Sequence, residues 1–258
     1  MVEIIRSNIF TKFPHIIHGY FTRKGGVSKG EYAALNFGYN SGDLKANIDQ
    51  NYQIAANYLN LGLENIITLK QTHSNIIHEF NDEHNKQKQY YEADGLFTQQ
   101  HNLALTILTA DCLPIIIYAS DIDVIGAIHV GWRGAYLAII NNFLDCIMAK
   151  GAKIQNIYVA LMPAIAQNSY EVDLDFYQKF LQLNNKNKEC FIEKGKDKFL
   201  FNLKLHALNI FHSYNITNID DIKIDTYEHK DLAFSYRRAT HEQSFKTGRN
   251  LSFIAKLK

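Results

Sequence analysis

Apolar residues gather in short runs along this chain. Three of them, Leu103–Leu108, Ile115–Ala119 and Val124–Val130, are nearly continuous and rich in β-branched side chains, the pattern of strands buried on both faces. Shorter runs at Ile66–Leu69, Ile76–Phe80, Ile157–Leu161, Ile222–Asp225, Leu232–Tyr236 and Leu251–Ile254 read as further strands. Ile16–Thr22 reads as a strand leading into a turn over Arg23–Gly30. Elsewhere the apolar period lengthens to that of a helix: Asp43–Leu61 closed by Gly62, Ala135–Lys150 closed by Gly151, Leu174–Leu181 and Leu203–Tyr214. Runs alternating with helices predict a layered α/β protein, although strand order does not follow from them. The polar stretches Asn81–Gln89 and Asn184–Glu189 read as surface loops, too short to mark a boundary, so residues 1–258 read as one domain.

Composition narrows the classes of function. A chain of 258 residues buries a core without disulfides or structural metal. Basic residues number 27 and acidic 26, a formal net charge of +1, which argues against a nucleic-acid wrapper and a polybasic membrane binder. Three widely spaced cysteines give neither a disulfide framework nor a four-cysteine zinc site. The early Glu3 argues against a signal peptide, and Asp111, Asp121, Asp123 and Arg133 interrupt the most apolar region. A reduced, cytoplasmic setting is the expectation. Arginine occurs only at 6, 23, 133, 237, 238 and 249, against 21 lysines, so each guanidinium is worth following.

Several segments carry candidate chemistry. In Val124–Gly134 a strand ends at His129, a Gly-Trp-Arg-Gly turn follows, and a helix begins near Ala135; Arg133 and the helix start suit an anion, Gly131 and Gly134 allow close approach, and Trp132 offers a wall. A plain strand–helix turn is the competing reading. Asp111 and Cys112 sit in a very apolar stretch, where a carboxylate needs partners. His73 lies in the polar segment Gln71–Asn75. One cysteine and two histidines on separate strand–loop junctions suit a catalytic metal site with an open fourth position, and thiolate with imidazole points to zinc or copper. Their separations, 39 and 17 residues, match no local ligand motif. Phe21–Gly30 is a basic glycine-rich turn able to form an anion nest, or a solvated hairpin, and Phe234–Arg238 suits a phosphate or an ion-pair network.

HGYFTRKGGVS, LNFG, QTHSN, EADGLFT, TADCLPIIIY, HVGWRG and FSYRR occur in that order between about His18 and Gly248. Together they resemble the YfiH-like laccase-domain family, which includes the peptidoglycan editing factor and purine nucleoside phosphorylases. The resemblance implies a single α/β domain with mixed sheets packed between helices, and a zinc ion held by His73, Cys112 and His129. It implies phosphorolysis of adenosine, inosine, guanosine and methylthioadenosine, with phosphate as co-substrate and adenosine deamination alongside. Within that reading, Arg23, Gly25 and Gly26, with Arg133 as a second candidate, are assigned to phosphate. Asp111 or Asp94 is assigned to proton transfer, and Asn36 to positioning ribose or base. Small-molecule partners, and a monomer or weak dimer, are expected.

Two stretches depart from the family pattern. Gln167-Asn168 stand where a cysteine pair is common, and Asp225 where a cysteine precedes a threonine. Other readings stay open. One is a Cys–His hydrolase that edits peptidoglycan precursors, with Cys112 as nucleophile and His129 or His73 as base. Another is a binding protein around a structural metal whose fourth ligand is His101 or Asp111. A copper polyphenol oxidase is disfavoured, because eleven histidines include no His-x-His pair.

Overall fold

A computed structural model describes residues 1–81 and 91–258. The strands along them are β1 (Ile4–Ile5), β2 (Ile16–Phe21), β3 (Ile66–Ile67), β4 (Ile77–Glu79), β5 (Gly95–Thr98), β6 (Ala104–Thr109), β7 (Leu113–Ala119), β8 (Val124–Val130), β9 (Ile157–Leu161), β10 (Glu171–Asp173), β11 (Phe191–Gly195), β12 (Lys198–Phe201), β13 (Ile219–Asp221) and β14 (Asn250–Lys256). The α-helices are α1 (Lys45–Leu59), α2 (Trp132–Tyr136), α3 (Ile139–Ala149), α4 (Leu174–Leu183), α5 (Leu203–Ser213) and α6 (Tyr236–His241). Two mixed sheets dominate, one ordered β1-β2-β14-β6-β3 and one ordered β13-β9-β7-β8-β5-β4; β10, β12 and β11 form a third.

The two large sheets are apolar on both faces, which is why their strands read as continuous runs. In β7, Ile116 and Tyr118 join Leu105, Ile107 and Ile254 in a core between the sheets. Their neighbours Ile115 and Ile117 face the other way, into a core with Phe143 and Leu144 of α3 and Phe211 of α5. On the far side, Leu251 and Phe253 of β14 pack with Ile48, Tyr52 and Ala55 of α1. The period-two alternation of side chains thus divides each strand between two cores. The layers run helix, sheet, sheet, helices.

Several boundaries differ from the sequence expectation. Helix α1 ends at Asn60, which takes the left-handed conformation (φ 53°) assigned to Gly62. The helix expected over Ala135–Lys150 begins earlier, at Trp132, and breaks at Ala138 (φ 60°) into α2 and α3. Leu232–Tyr236 is not a strand. Its backbone groups are taken by Arg23 N–H, the Asn250 amide and the Arg238 guanidinium, and Ser235 caps α6. The strand expected over Ile222–Asp225 lies just before it, at β13. Asn184–Glu189, expected to be a loop, is mostly 3-10 helix over Asn185–Cys190, with Asn187 and Cys190 buried. The Asn81–Gln89 loop falls, past Asn81, outside the described residues.

Candidate metal centre

The chain passes from one large sheet to the other between β6 and β7, and the site lies at that crossing. Strand register assembles it. Pro114 pairs with His129 and Leu113 with Val130, so Cys112, one residue before β7, falls beside the end of β8. On the other side of β8, Gly95 pairs with Ile128, which sets Asp94 next to His129; the His129 N–H donates to the Asp94 carbonyl at 2.7 Å. His73 arrives on the loop between β3 and β4. Gln71 pins that loop, because its side-chain amide both donates to and accepts from the Leu108 backbone at 2.8 Å.

One nitrogen from each of His73 and His129 and the Cys112 sulfur lie within 4.8 Å of one another. Cys112 Sγ is 3.8 Å from His73 Nε2, close to the separation of about 3.5 Å expected between two ligands of a tetrahedral zinc. His129 is buried, Cys112 half-buried and His73 exposed, so the cluster opens to one side. Gly131 makes the approach possible: a side chain there would stand 2.6 Å from the His73 ring and 3.2 Å from the Cys112 sulfur. His73 itself holds a left-handed backbone (φ 59°), a strained conformation at a ligand position.

The fully buried Asp94 organises the cluster. Its Oδ1 lies 2.7 Å from His129 Nδ1 and accepts from His73 N–H at 3.0 Å. Its Oδ2 accepts from the Ser74 N–H at 2.6 Å, the Ser74 hydroxyl at 2.7 Å and the Thr72 N–H at 3.1 Å. Burial pushes the Asp94 carboxyl up, but His129 and Ser74 outweigh it and hold the group well below the ordinary carboxylate range. Burial likewise opposes ionisation of Cys112, yet His129 and His73 bring its thiol below the usual value. Burial opposes the charged form of His129 as well, and Cys112 and Asp94 together raise it. Each of the two groups therefore favours the charged form of the other. With Nδ1 held by Asp94, His129 turns Nε2 to the cluster, the carboxylate–histidine arrangement of metal sites. The donor set and spacing fit a zinc-like ion.

The cluster forms one end of a cavity of about 720 Å³, within the range of small-molecule sites, about 300–1,000 Å³. Gly38–Ser41, Tyr52, Thr68–Gln71, Leu108–Ala110, Tyr236 and Arg249 line the rest. Asn36, fully buried, shapes two walls without reaching the cavity: its oxygen accepts from Gly38 N–H and Arg249 N–H, and its amide donates to Ser41 and Asp43.

The other sequence candidates lie elsewhere. Arg23 directs its guanidinium to the carbonyls of Ala33, Lys230 and Glu31 and stacks on Phe234 at 4.4 Å. Gly25 and Gly26 pack against Met1 and against Ala34–Leu35, and none of the three lines the cavity. Arg133 is exposed, outside the lining, and Trp132 packs on Phe176 at 5.7 Å. Asp111, buried with φ 86°, accepts from Thr226, Ser235 and the Arg237 N–H, while burial pushes its carboxyl up. Arg237 and Arg238 lie outside the cavity lining and make no ion pair among the described residues; Arg237 donates to the Glu171 carbonyl, and Arg238 to those of Thr226, Tyr227 and Ala233. His101 faces Asp123 at 3.9 Å, and neither it nor Asp111 joins the described cluster as a fourth ligand. Sequence reasoning missed Tyr39, Tyr52, Tyr236 and Arg249; the scarcity of arginine was the one signal that pointed to the last.

Residues 17–256 match the family described as multi-copper polyphenol oxidoreductase laccase. A purine nucleoside phosphorylase of Rickettsia prowazekii is 34% identical over 244 residues, 94% of each chain. One of Haemophilus influenzae is 31% identical over 246 residues, covering 93% of this chain and 95% of the relative. Among solved structures, Bacillus licheniformis YfiH superposes with a TM-score of 0.88 at 28% identity, over 96% of this chain and 94% of that one. YlmD of Geobacillus stearothermophilus gives 0.87 at 26% identity, with the same coverage.

Proposed function

The chain belongs to that laccase family over nearly its whole length, and on this footing we propose that it is a zinc-dependent purine nucleoside phosphorylase that also deaminates adenosine. Its substrates in this reading are adenosine, inosine, guanosine and methylthioadenosine, with phosphate as co-substrate. The observation that carries the reading is a three-donor cluster open to a nucleoside-sized cavity with aromatic walls.

His73, Cys112 and His129 would hold the zinc. When bound, the ion supplies Lewis acidity at that end of the cavity. The protein's own groups do the rest. Tyr39 stacks on Tyr52 at 5.5 Å with planes 9° apart, and Tyr39 and Tyr236 are both partly exposed, so the walls offer faces to a purine. Asp94 acts as a positioning residue that fixes the His129 ring and draws the Thr72–Ser74 amides around one carboxylate. Asp111 fixes the turn that presents Cys112. In this reading one cavity takes both reactants, which meets the main requirement for an in-line displacement at the ribose.

A thiol hydrolase acting on peptidoglycan precursors is the second reading, favoured by the Cys112–His129–Asp94 alignment of nucleophile, base and orienting carboxylate. The cluster of three donors, the only one among the described residues, supports a single ion rather than the several coppers of a polyphenol oxidase.

One experiment separates these. Metal-analysed protein is incubated with inosine and adenosine, with and without phosphate, before and after chelation. Stoichiometric zinc with phosphate-dependent release of free base is the expected result. Conversion of adenosine to inosine without phosphate is expected beside it. No turnover of either nucleoside by zinc-loaded protein, with cleavage of a serine-linked muropeptide by the metal-free form, would replace the first reading by the second.

A further inference from the structure

Six arginines are present, and five lie outside the cavity lining. Arg6 donates to Tyr58, Arg133 is exposed outside the lining, and Arg23, Arg237 and Arg238 clamp carbonyls. Arg249 alone lines the cavity that the cluster opens onto. Its Nη1 donates to the carbonyls of Thr247 at 3.1 Å and Gly248 at 2.9 Å. Among the described residues no carboxylate lies within ion-pair distance of it, and its Nε and Nη2 make no hydrogen bond. Those two atoms form one edge of the guanidinium, the fork that meets an oxyanion with two parallel hydrogen bonds.

The fork is built, not incidental. Asn36 accepts from the Arg249 N–H at 2.8 Å, and the arginine stem lies on Gly38, where a side chain would come within 2.8 Å of Cγ. The Leu35–Gly38 segment that resembles the family motif therefore seats the arginine. The other cation in the lining, Lys70, is ion-paired with Glu92 at the surface. A half-buried guanidinium with an unused edge costs desolvation energy that a bound anion recovers.

We propose that Arg249 is the phosphate-binding residue of this site, its Nε–Nη2 edge holding the tetrahedral anion in the same cavity as the nucleoside. The assignment rests on the phosphorolysis reading for its catalytic meaning, and on geometry alone for the binding of the anion. It replaces the glycine-rich turn at Arg23 as the phosphate subsite.

The test uses the zinc-loaded full chain, R249M and R249K, with inorganic phosphate as the probe. Phosphate is expected to raise the melting temperature of the wild type and not that of R249M. With inosine, R249M raises the KM for phosphate about 10- to 100-fold, more than it raises the KM for inosine, and R249K, which keeps the charge without the fork, falls between. Sulfate, an unreactive tetrahedral anion, should protect the wild type and compete with phosphate. If the wild type fails to cleave nucleosides yet phosphate protects it and not R249M, the subsite stands and the phosphorolysis reading falls. If the wild type cleaves inosine and R249M keeps its phosphate KM and its protection, the subsite is overturned and the reading stands. Circular dichroism and melting without phosphate identify an unfolded variant, in which case R249K decides by the same criteria.

Discussion

The turn Phe21–Gly30 and the loop Gln71–Asn75 look alike in sequence: each follows a β-rich segment, each is polar, and each carries groups able to bind a ligand. In the folded protein they do opposite things. The first turns its polar groups inward, with Arg23 on three carbonyls, Val27 N–H on Asn51 and Ser28 N–H on the Ala34 carbonyl. The second lets Asp94 satisfy its amides, and His73 is left facing Cys112 across an open cavity. A polar segment becomes a site only where the surrounding fold satisfies its backbone and leaves a side chain over.

The strongest way to break the comparison is at the cluster. C112A should lose stoichiometric zinc and lower phosphorolysis about 1000-fold, measured by metal analysis and base release. Normal turnover by a metal-free C112A would place the chemistry elsewhere. The next effect tests what Asp94 does. D94N puts an amide against N–H donors and releases the His129 ring, so zinc affinity should fall about 10- to 100-fold in a competitive chelator titration. Affinity at the wild-type level would make Asp94 a packing residue.

The inward-turned region is expected to respond in stability rather than in binding. R23M leaves three carbonyls without their donor and should cost about 2 kcal/mol in urea unfolding, while the KM for phosphate stays at the wild-type value. A raised KM at unchanged stability would return the anion site to the glycine-rich turn.

The smallest effect concerns a scaffold histidine remote from both. Burial lowers His206 to about 4 from an unfolded value near 6.5. Between those values the unfolded chain binds the extra proton. The stabilising effect of a neutral His206 is therefore complete above about pH 6.5 and is lost as pH falls toward 4, by about 1.4 kcal/mol per pH unit. H206Q should lose less stability than the wild type between pH 6.5 and 5 by urea unfolding; equal losses would show that the ring is protonated in the fold.

The layers were legible because apolar runs state their own burial. Val124–Val130 and Ile157–Leu161 are strands at the bounds their composition marks, and the apolar periods placed four helical regions. Leu232–Tyr236 misled for the same reason: it is largely apolar with a buried centre, but the Arg23 backbone N–H, the Asn250 side chain and the nearby Arg238 guanidinium satisfy its backbone, so no ladder forms. The trio His73, Cys112 and His129 was named from motifs, since separations of 39 and 17 residues carry no geometric signal until strand register closes them. Arg249 stood in view as one of six arginines, yet nothing local distinguished it from Arg23 or Arg238.

By itself the sequence determined which segments must be buried, that they alternate with helices, and which residue types were available for metal and anion chemistry, because burial and donor chemistry are properties of individual side chains and their spacing. Tertiary structure alone decided which of those groups remain free. Whether an arginine or a carboxylate meets solvent, a ligand or a carbonyl depends on partners as far as 213 residues away, and hydrogen-bond satisfaction is settled only when all of them are in place.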